Sequence, residues 1–282
     1  MTYAELYESG LKRLEQAGVP LPKTDAFILL EAVTGFSRAK YILVRDRQAQ
    51  EKEAEDFLSY ISRRAERVPC QYILGRAWFY GLCFKVDESV LIPRFDTEIL
   101  VEEALSLIPE KATGLKLLDM CSGSGCIGIT LKHERPELSL TFSDISGAAL
   151  ELAKENAGRN LCEGTDSPDF VLGDLFENIN GSYDFIVSNP PYVSEAEFAV
   201  LAPEVKEHEP RLALLAGEEG LDIYRRLIPQ SAEHLKRGGL LLLETGCTQT
   251  EAVSGLLKEN GFSDIYVKKD LAGLNRVVIG RK

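Results

Sequence analysis

Across residues 1–66 apolar positions recur at three- to four-residue spacing, the period of a helix with one buried face. Leu6, Leu11, Leu14 and Ala17 predict one amphipathic helix, closed by Gly18 and Pro20. Phe27, Ile28, Leu29, Leu30 and Val33 predict a second, with Thr24-Asp25 as its cap and Gly35 as its stop. Residues 37–44 read as a short third helix. Residues 50–66 read as a fourth, with Phe57, Leu58 and Ile61 on its buried side. The pattern predicts a small helical bundle. From 67 to 93 the texture changes: Val68-Pro69 breaks the helix, and the aromatic run Trp78 to Val86 around Gly81 predicts a β-hairpin linker.

Beyond residue 94 the period alternates. Strand-like apolar runs fall at 115–119, 138–143, 169–172, 183–188, 239–244, 264–268 and 275–280. Helical patterns lie at 96–108, 126–134, 147–158, 220–236 and 248–260. Such alternation implies an α/β fold, a doubly wound and mostly parallel seven-stranded sheet. Only Asp270 to Leu274 separates the last two runs, too little chain for a parallel crossover, so that pair is expected to be antiparallel. The expected organisation is a helical domain over 1–75, a hairpin linker over 76–93, and a catalytic domain over 94–282.

Charge narrows the chemistry. The formal net charge is -12. Residues 1–75 carry 11 Lys+Arg against 11 Asp+Glu, so all of it falls on the remainder. An acidic catalytic half argues against a nucleic-acid substrate, which needs basic surface. The six cysteines at 70, 83, 121, 126, 162 and 247 form no Cys-x-x-Cys pair, and with three histidines they show no zinc-ligand spacing. Several lie in apolar runs, as expected for reduced thiols in a cytoplasmic protein. No apolar run suggests a membrane span, and the first residues show no basic and apolar leader pattern.

The loop from Asp119 through Met120, Cys121, Ser122, Gly123, Ser124 and Gly125 follows a strand and opens a helix. Glycines at such a turn let backbone approach a ligand. Asp144 closes the next strand, about twenty residues on, where a carboxylate can accept from both ribose hydroxyls of a nucleoside. Asp119, before the loop, would repel a pyrophosphate and attract a sulfonium or ammonium group. Cys121 also stands where a dinucleotide loop has its first glycine. Asp174 closes a third strand, placed to meet an adenine amino group. S-adenosyl-L-methionine fits these features better than NAD.

Asn189-Pro190-Pro191-Tyr192 follows the strand Tyr183 to Ser188, and in open α/β sheets chemistry sits beyond the carboxyl ends of strands. An amide nitrogen is a weak nucleophile because its lone pair is delocalised into the carbonyl. The Asn189 side-chain carbonyl and the Pro190 backbone carbonyl can each accept one N–H, so the lone pair faces the methyl group. Pro191 fixes the backbone that presents them. Tyr192 offers an aromatic face to a flat substrate group.

With these motifs placed, the chain resembles the peptide chain release factor N(5)-glutamine methyltransferase family (HemK/PrmC). The likeness covers the helical region, Arg67 to Gly75, Leu91-Ile92-Pro93-Arg94-Phe95-Asp96-Thr97-Glu98, the Gly-rich loop and Asn189 to Tyr192. It implies a class I methyltransferase fold and transfer to the glutamine of the Gly-Gly-Gln motif in class I release factors. No membrane partner and no direct nucleic-acid binding are expected. It implies that Asn189 and Pro190 bind the glutamine amide, that Tyr192 packs on it, and that Cys121 to Gly125 and Asp144 hold the cofactor. Leu175 falls where the family places a residue against adenine. Arg94, Thr97 and Asn189 complete the expected cofactor contacts, although the Pro93–Thr97 segment fits equally a strand-to-helix turn capped by Asp96 or Thr97. Two positions depart from the family pattern: Phe95 replaces a proline, and Cys121 stands where many members have glycine. The alternatives are an adenine amino-methyltransferase acting on DNA or RNA, methylation of another protein glutamine, and a non-catalytic cofactor-binding scaffold.

Overall fold

The computed structural model describes residues 1–162, 164 and 166–282. The chain forms two compact units, Met1–Arg76 with Ala202–His208, and Ala77–Leu201 with Glu209–Lys282.

The first unit is helical, with α1 (Tyr3–Gln16), α2 (Pro22–Thr34), α3 (Arg38–Val44), α4 (Glu51–Ala65) and α5 (Cys70–Leu74). Thr2 and Glu5 form a reciprocal capping box at the start of α1. Its buried residues Tyr3, Leu6, Gly10, Leu11 and Leu14 follow the helical period. Gly10 lets α4 approach: a Cβ there would lie 2.6 Å from Phe57 Cζ. The cap expected at Thr24-Asp25 is corrected. Leu21 occupies the cap position and Pro22 opens α2, a place where the missing N–H costs nothing. Asp25 is instead drawn to Arg64, with Arg64 Nε donating to Asp25 Oδ2 at 2.7 Å. Residues 202–208 also belong with the helical unit. Glu204 accepts from Arg64 Nη2 at 2.8 Å and from Arg67 Nε and Nη2 at 2.8 and 2.7 Å. Burial works against the Glu204 carboxylate, but the hydrogen bonds from Arg67 and Arg64 override it and hold its pKa down at about 2.

The second unit opens with the hairpin β1 (Arg76–Phe79) and β2 (Leu82–Lys85), then α6 (Glu98–Leu107). The alternation continues through β3 (Lys116–Met120), α7 (Cys126–Glu134), β4 (Ser139–Asp144), α8 (Gly147–Asn160), β5 (Asp169–Leu172) and β6 (Tyr183–Ser188). Two short helices follow, α9 (Glu195–Ala199) and α10 (Pro203–His208), the latter lying in the helical unit. The chain ends with α11 (Asp222–His234), β7 (Leu235–Glu244), α12 (Thr250–Glu259), β8 (Ser263–Lys269) and β9 (Asn275–Arg281).

Among the described residues the main sheet has seven strands in the order β5-β4-β3-β6-β7-β9-β8. Only β9 runs against the rest, pairing antiparallel with both β7 and β8. The winding reverses at β3: β4 and β5 extend the sheet one way, and β6 and β7 the other. A crevice beside such a reversal is where open α/β sheets bind ligands. Two apolar clusters cover the faces, one including Leu117, Phe142, Phe185 and Leu242, the other including Leu118, Ile186, Tyr224 and Leu241. Consecutive residues of one strand thus enter opposite cores.

Candidate active site

Parallel pairing brings the strand ends together. Met120 is level with Ser143 of β4 and Ser188 of β6, and Asp144 with Leu172 of β5. The segments that follow, Cys121–Gly125, Ile145-Ser146, Gly173–Leu175 and Asn189–Tyr192, therefore open on one edge of the sheet. They enclose a cavity of about 410 Å³.

The loop after β3 turns through three left-handed residues, Cys121 at φ 57°, Gly123 at 53° and Gly125 at 77°. A non-glycine residue at positive φ carries strain. This explains in backbone terms why position 121 suits glycine and why cysteine there is a departure. Gly123 N–H donates to Asp144 Oδ2 at 2.8 Å, and Ser146 N–H to Asp144 Oδ1 at 2.9 Å. Burial raises the Asp144 pKa, opposed by those N–H groups. Each carboxylate oxygen keeps a further lone pair, enough for a vicinal diol. Ile127, Ile145, Ala149 and Leu175 supply apolar lining. A nucleoside fits this combination, with an acceptor for the ribose and apolar surface for the base.

Cys121, Ser122, Gly123, Ser124, Asp144, Asp174, Leu175, Asn189, Pro191, Arg94 and Thr97 line the cavity. Asp119, Gly125, Pro190 and Tyr192 are not among the lining residues. Asp119 is fully buried, and Gly128 N–H donates to its Oδ2 at 2.8 Å. Burial pushes its pKa well up against that bond. It braces the helix start; a Cβ at Gly128 would sit 2.9 Å from Oδ2. Gly125 serves as the N-cap of α7. Asp174 lines the cavity while paired with Arg226, Nη2 to Oδ2 at 2.6 Å. Arg94 is paired with Glu209 at 2.5 Å. Thr97 sits at the N-cap of α6 but makes no capping bond with its side chain. Its hydroxyl accepts from Asn189 Nδ2 at 3.2 Å.

That contact orients the tetrapeptide. With Nδ2 turned to Thr97, the Asn189 amide presents Oδ1 as its other end, an acceptor. At the far end Tyr192 OH donates to Glu244 Oε1 at 3.3 Å. Gln249 Nε2 donates to the Tyr192 carbonyl at 2.9 Å. Gly220, at φ +71°, leaves room for this: a Cβ there would lie 2.3 Å from the Tyr192 carbonyl oxygen and 2.5 Å from Gln249 Nε2. Gly220→Ala is expected to destabilise by at least about 2 kcal/mol, from strain and a lost buried bond. Thermal melts check it against Gly261→Ala, where φ is +82° but nothing lies within 4 Å. Equal losses in the two variants would remove the Tyr192 contact as the cause.

Glu244, Gln249, Gly220 and Arg226 escaped the reading of the sequence. Glu244 carried a usable signal, an acidic residue closing a strand, the same feature that picked out Asp144. The others had none, because their roles depend on which loops pack together.

Residues 5–75 match the PrmC N-terminal domain family, and residues 96–207 the methyltransferase small domain family. The release factor glutamine methyltransferase of Geobacter sulfurreducens is 40% identical over 269 residues, spanning 95% of this chain and 92% of that protein. Its counterpart in Koribacter versatilis is 39% identical over 284 residues, 100% of this chain and 99% of the relative. The chain belongs to the release factor glutamine methyltransferase family. A methyltransferase from Pyrococcus furiosus shares the fold, with TM-score 0.52, 16% identity, and coverage of 72% of this chain and 90% of that one. As a member of the release factor glutamine methyltransferase family the chain is a methyltransferase with S-adenosylmethionine as its methyl donor. The strand-end carboxylate Asp144 and the Gly-rich turn fit that nucleoside.

Proposed function

We propose that this chain methylates the side-chain amide nitrogen of the glutamine in the Gly-Gly-Gln motif of class I peptide chain release factors. The observation that carries the reading is the Asn189 amide, held by Thr97 at the edge of the nucleoside-sized cavity with its oxygen end left for a substrate N–H. Relatives of matching length that bear the release factor name support the substrate.

Asn189 Oδ1 and the Pro190 carbonyl each accept one N–H of the glutamine amide, which directs the nitrogen lone pair toward the cavity. Asp144 and the Cys121–Ser124 turn would hold S-adenosylmethionine, which would supply an electrophilic methyl carbon there. The amide nitrogen would take that methyl group as the electron pair of the S–C bond stays on sulfur, and would then release one proton to solvent. Pro191 stiffens the backbone that presents both acceptors. Tyr192, fixed at its hydroxyl and its carbonyl, forms the wall behind the amide plane. Arg94 and Asp174, each tied to a partner of opposite charge, shape the cavity without adding net charge. The helical stretch 1–75 docks the release factor.

The test is methyl transfer from labelled S-adenosylmethionine to purified release factor, with a glutamine-replaced Gly-Gly-Gln variant and duplex DNA as parallel acceptors. Label on the intact motif alone is expected. Label on DNA would transfer the reading to an adenine amino-methyltransferase, and label on the glutamine-replaced variant would place the target elsewhere on the factor.

A further inference from the structure

Three large apolar side chains stand in solvent on mounts that are themselves fixed: Phe95 is 79% exposed, Leu212 58% and Leu271 97%. Phe95 opens a short 3-10 turn, Phe95–Thr97; Arg94 just before it and Thr97 at its end both line the cavity. Leu212 lies in a second such turn, Arg211–Ala213, and lines the cavity itself. Leu271 stands in the tight turn between β8 and β9, where Asp270 Oδ1 accepts from the N–H groups of Ala272 and Leu274 at 3.0 and 2.9 Å. Ion pairs tie the three mounts together. Arg94, the residue before Phe95, meets Glu209, three residues before Leu212, at 2.5 Å. Asp96, the residue after Phe95, shares Arg276 Nη2 with Asp270, the residue before Leu271, at 3.1 and 2.9 Å. Apolar residues scattered singly over a surface need no explanation, but three gathered at one mouth do.

We propose that Phe95, with Leu212 and Leu271, forms an apolar rim at the cavity mouth that takes the uncharged residues flanking the target glutamine, with Phe95 as its anchor. The inference rests on the proposed glutamine methylation, whose substrate loop it places. Phe95 is one of the two departures from the family pattern, so the contact it makes is this chain's own.

The occupant follows from position and charge. Thr97 ends the turn that Phe95 opens, and its hydroxyl accepts from Asn189 Nδ2 at 3.2 Å. A glutamine amide held by Asn189 therefore brings the chain that carries it to the exposed ring. The cations at the rim are already engaged: Arg94 with Glu209, Arg276 with Asp96 and Asp270, and Arg211 over the Phe198 ring at 5.1 Å. They are thus unavailable to a phosphate backbone, which binds through such groups. An apolar centre ringed by compensated charge is the anatomy of a protein contact instead. An aromatic ring on a rigid mount gives up little conformational freedom on contact, which suits it as the anchor. Glycines beside the glutamine carry no side chain and let the substrate backbone lie close against the ring.

The experiment compares wild type with Phe95→Ala, Phe95→Leu and Leu271→Ser, each loaded with S-adenosylhomocysteine, for binding to release factor by calorimetry, and then follows methyl transfer. Phe95→Ala is expected to weaken release-factor binding about tenfold or more, and the other two variants less. The same loss is expected with the glutamine-replaced Gly-Gly-Gln variant, because the ring meets the flanking residues and not the glutamine. In turnover, KM for release factor should rise about tenfold while kcat stays within about twofold, since the rim grips ground state and transition state alike. Affinity for S-adenosylhomocysteine and the melting temperature should hold, because Phe95 is exposed. Equal binding by wild type and Phe95→Ala, or a loss that disappears with the glutamine-replaced factor, overturns the inference. Label on release factor with the same KM in both chains overturns the rim and leaves the glutamine reading standing, whereas label on duplex DNA alone removes both.

Discussion

Asn189→Ala is expected to lower kcat on release factor by about 100- to 1,000-fold, the usual loss for one oriented transition-state hydrogen bond in a water-poor site. The affinity for S-adenosylhomocysteine, measured by calorimetry, should move far less. The reason is geometric. The Asn189 side chain borders the cavity through one edge, and its Nδ2 is spent on Thr97. In the proposed reading cofactor recognition rests on Asp144 and the Gly-rich turn, whose hydrogen bonds do not involve Asn189. Truncation therefore removes the alignment of the nucleophile and little else. A variant with raised KM for release factor and unchanged kcat would show that Asn189 binds the ground state and transition state alike. That outcome would sink the alignment mechanism.

Periodicity made most of the architecture legible. The runs expected at 183–188 and 169–172 coincide with β6 and β5, and 126–134 with α7. The short Asp270–Leu274 connection correctly required an antiparallel final pair. These features are local, set by the alternation of side-chain faces within one element. What was not legible depends on contacts between distant segments. Nothing near Thr24 and Asp25 shows that Arg64, thirty-nine residues on, draws Asp25 away from a capping role. Likewise nothing in residues 202–208 shows that Glu204 meets Arg64 and Arg67, 140 and 137 residues away. The site divides the same way. Asp144 could be found because strand order and spacing place it at a carboxyl end. Asp119 obeys the same rule, yet sits inward of the cavity, because Gly128 lets helix α7 close over it. An acidic residue at a strand end thus marks the right edge of the sheet without telling which side of the loop it faces.

Arg64→Ala is expected to destabilise the helical unit by about 3–5 kcal/mol, the cost of stranding buried carboxylates by removing their cation. Arg64 is 5% exposed and bonds to both Asp25 and Glu204, whose side chains are 14% and 15% exposed. Arg67 still reaches Glu204 in the variant, at 2.7 Å, while its Nη1 is spent on the Gly18 carbonyl at 3.0 Å and leaves Asp25 without its cation. Hydrogen exchange followed by mass spectrometry resolves the effect by segment: peptides from α2, α4 and residues 202–208 should exchange about 100-fold faster or more. Unchanged protection over 202–208 would mean that Arg67 alone holds that segment. Acid gives an independent reading of the same network. Glu204 has its pKa depressed from 4.5 to about 2, so its contribution is full above about pH 4.5 and is lost as pH falls toward 2. Glu204→Gln removes the proton that titrates in this window, so the acid sensitivity of the 202–208 peptides should flatten in that variant. If both variants keep the wild-type acid profile, the pairing of Glu204 with Arg64 and Arg67 is not what anchors 202–208 to the helical unit.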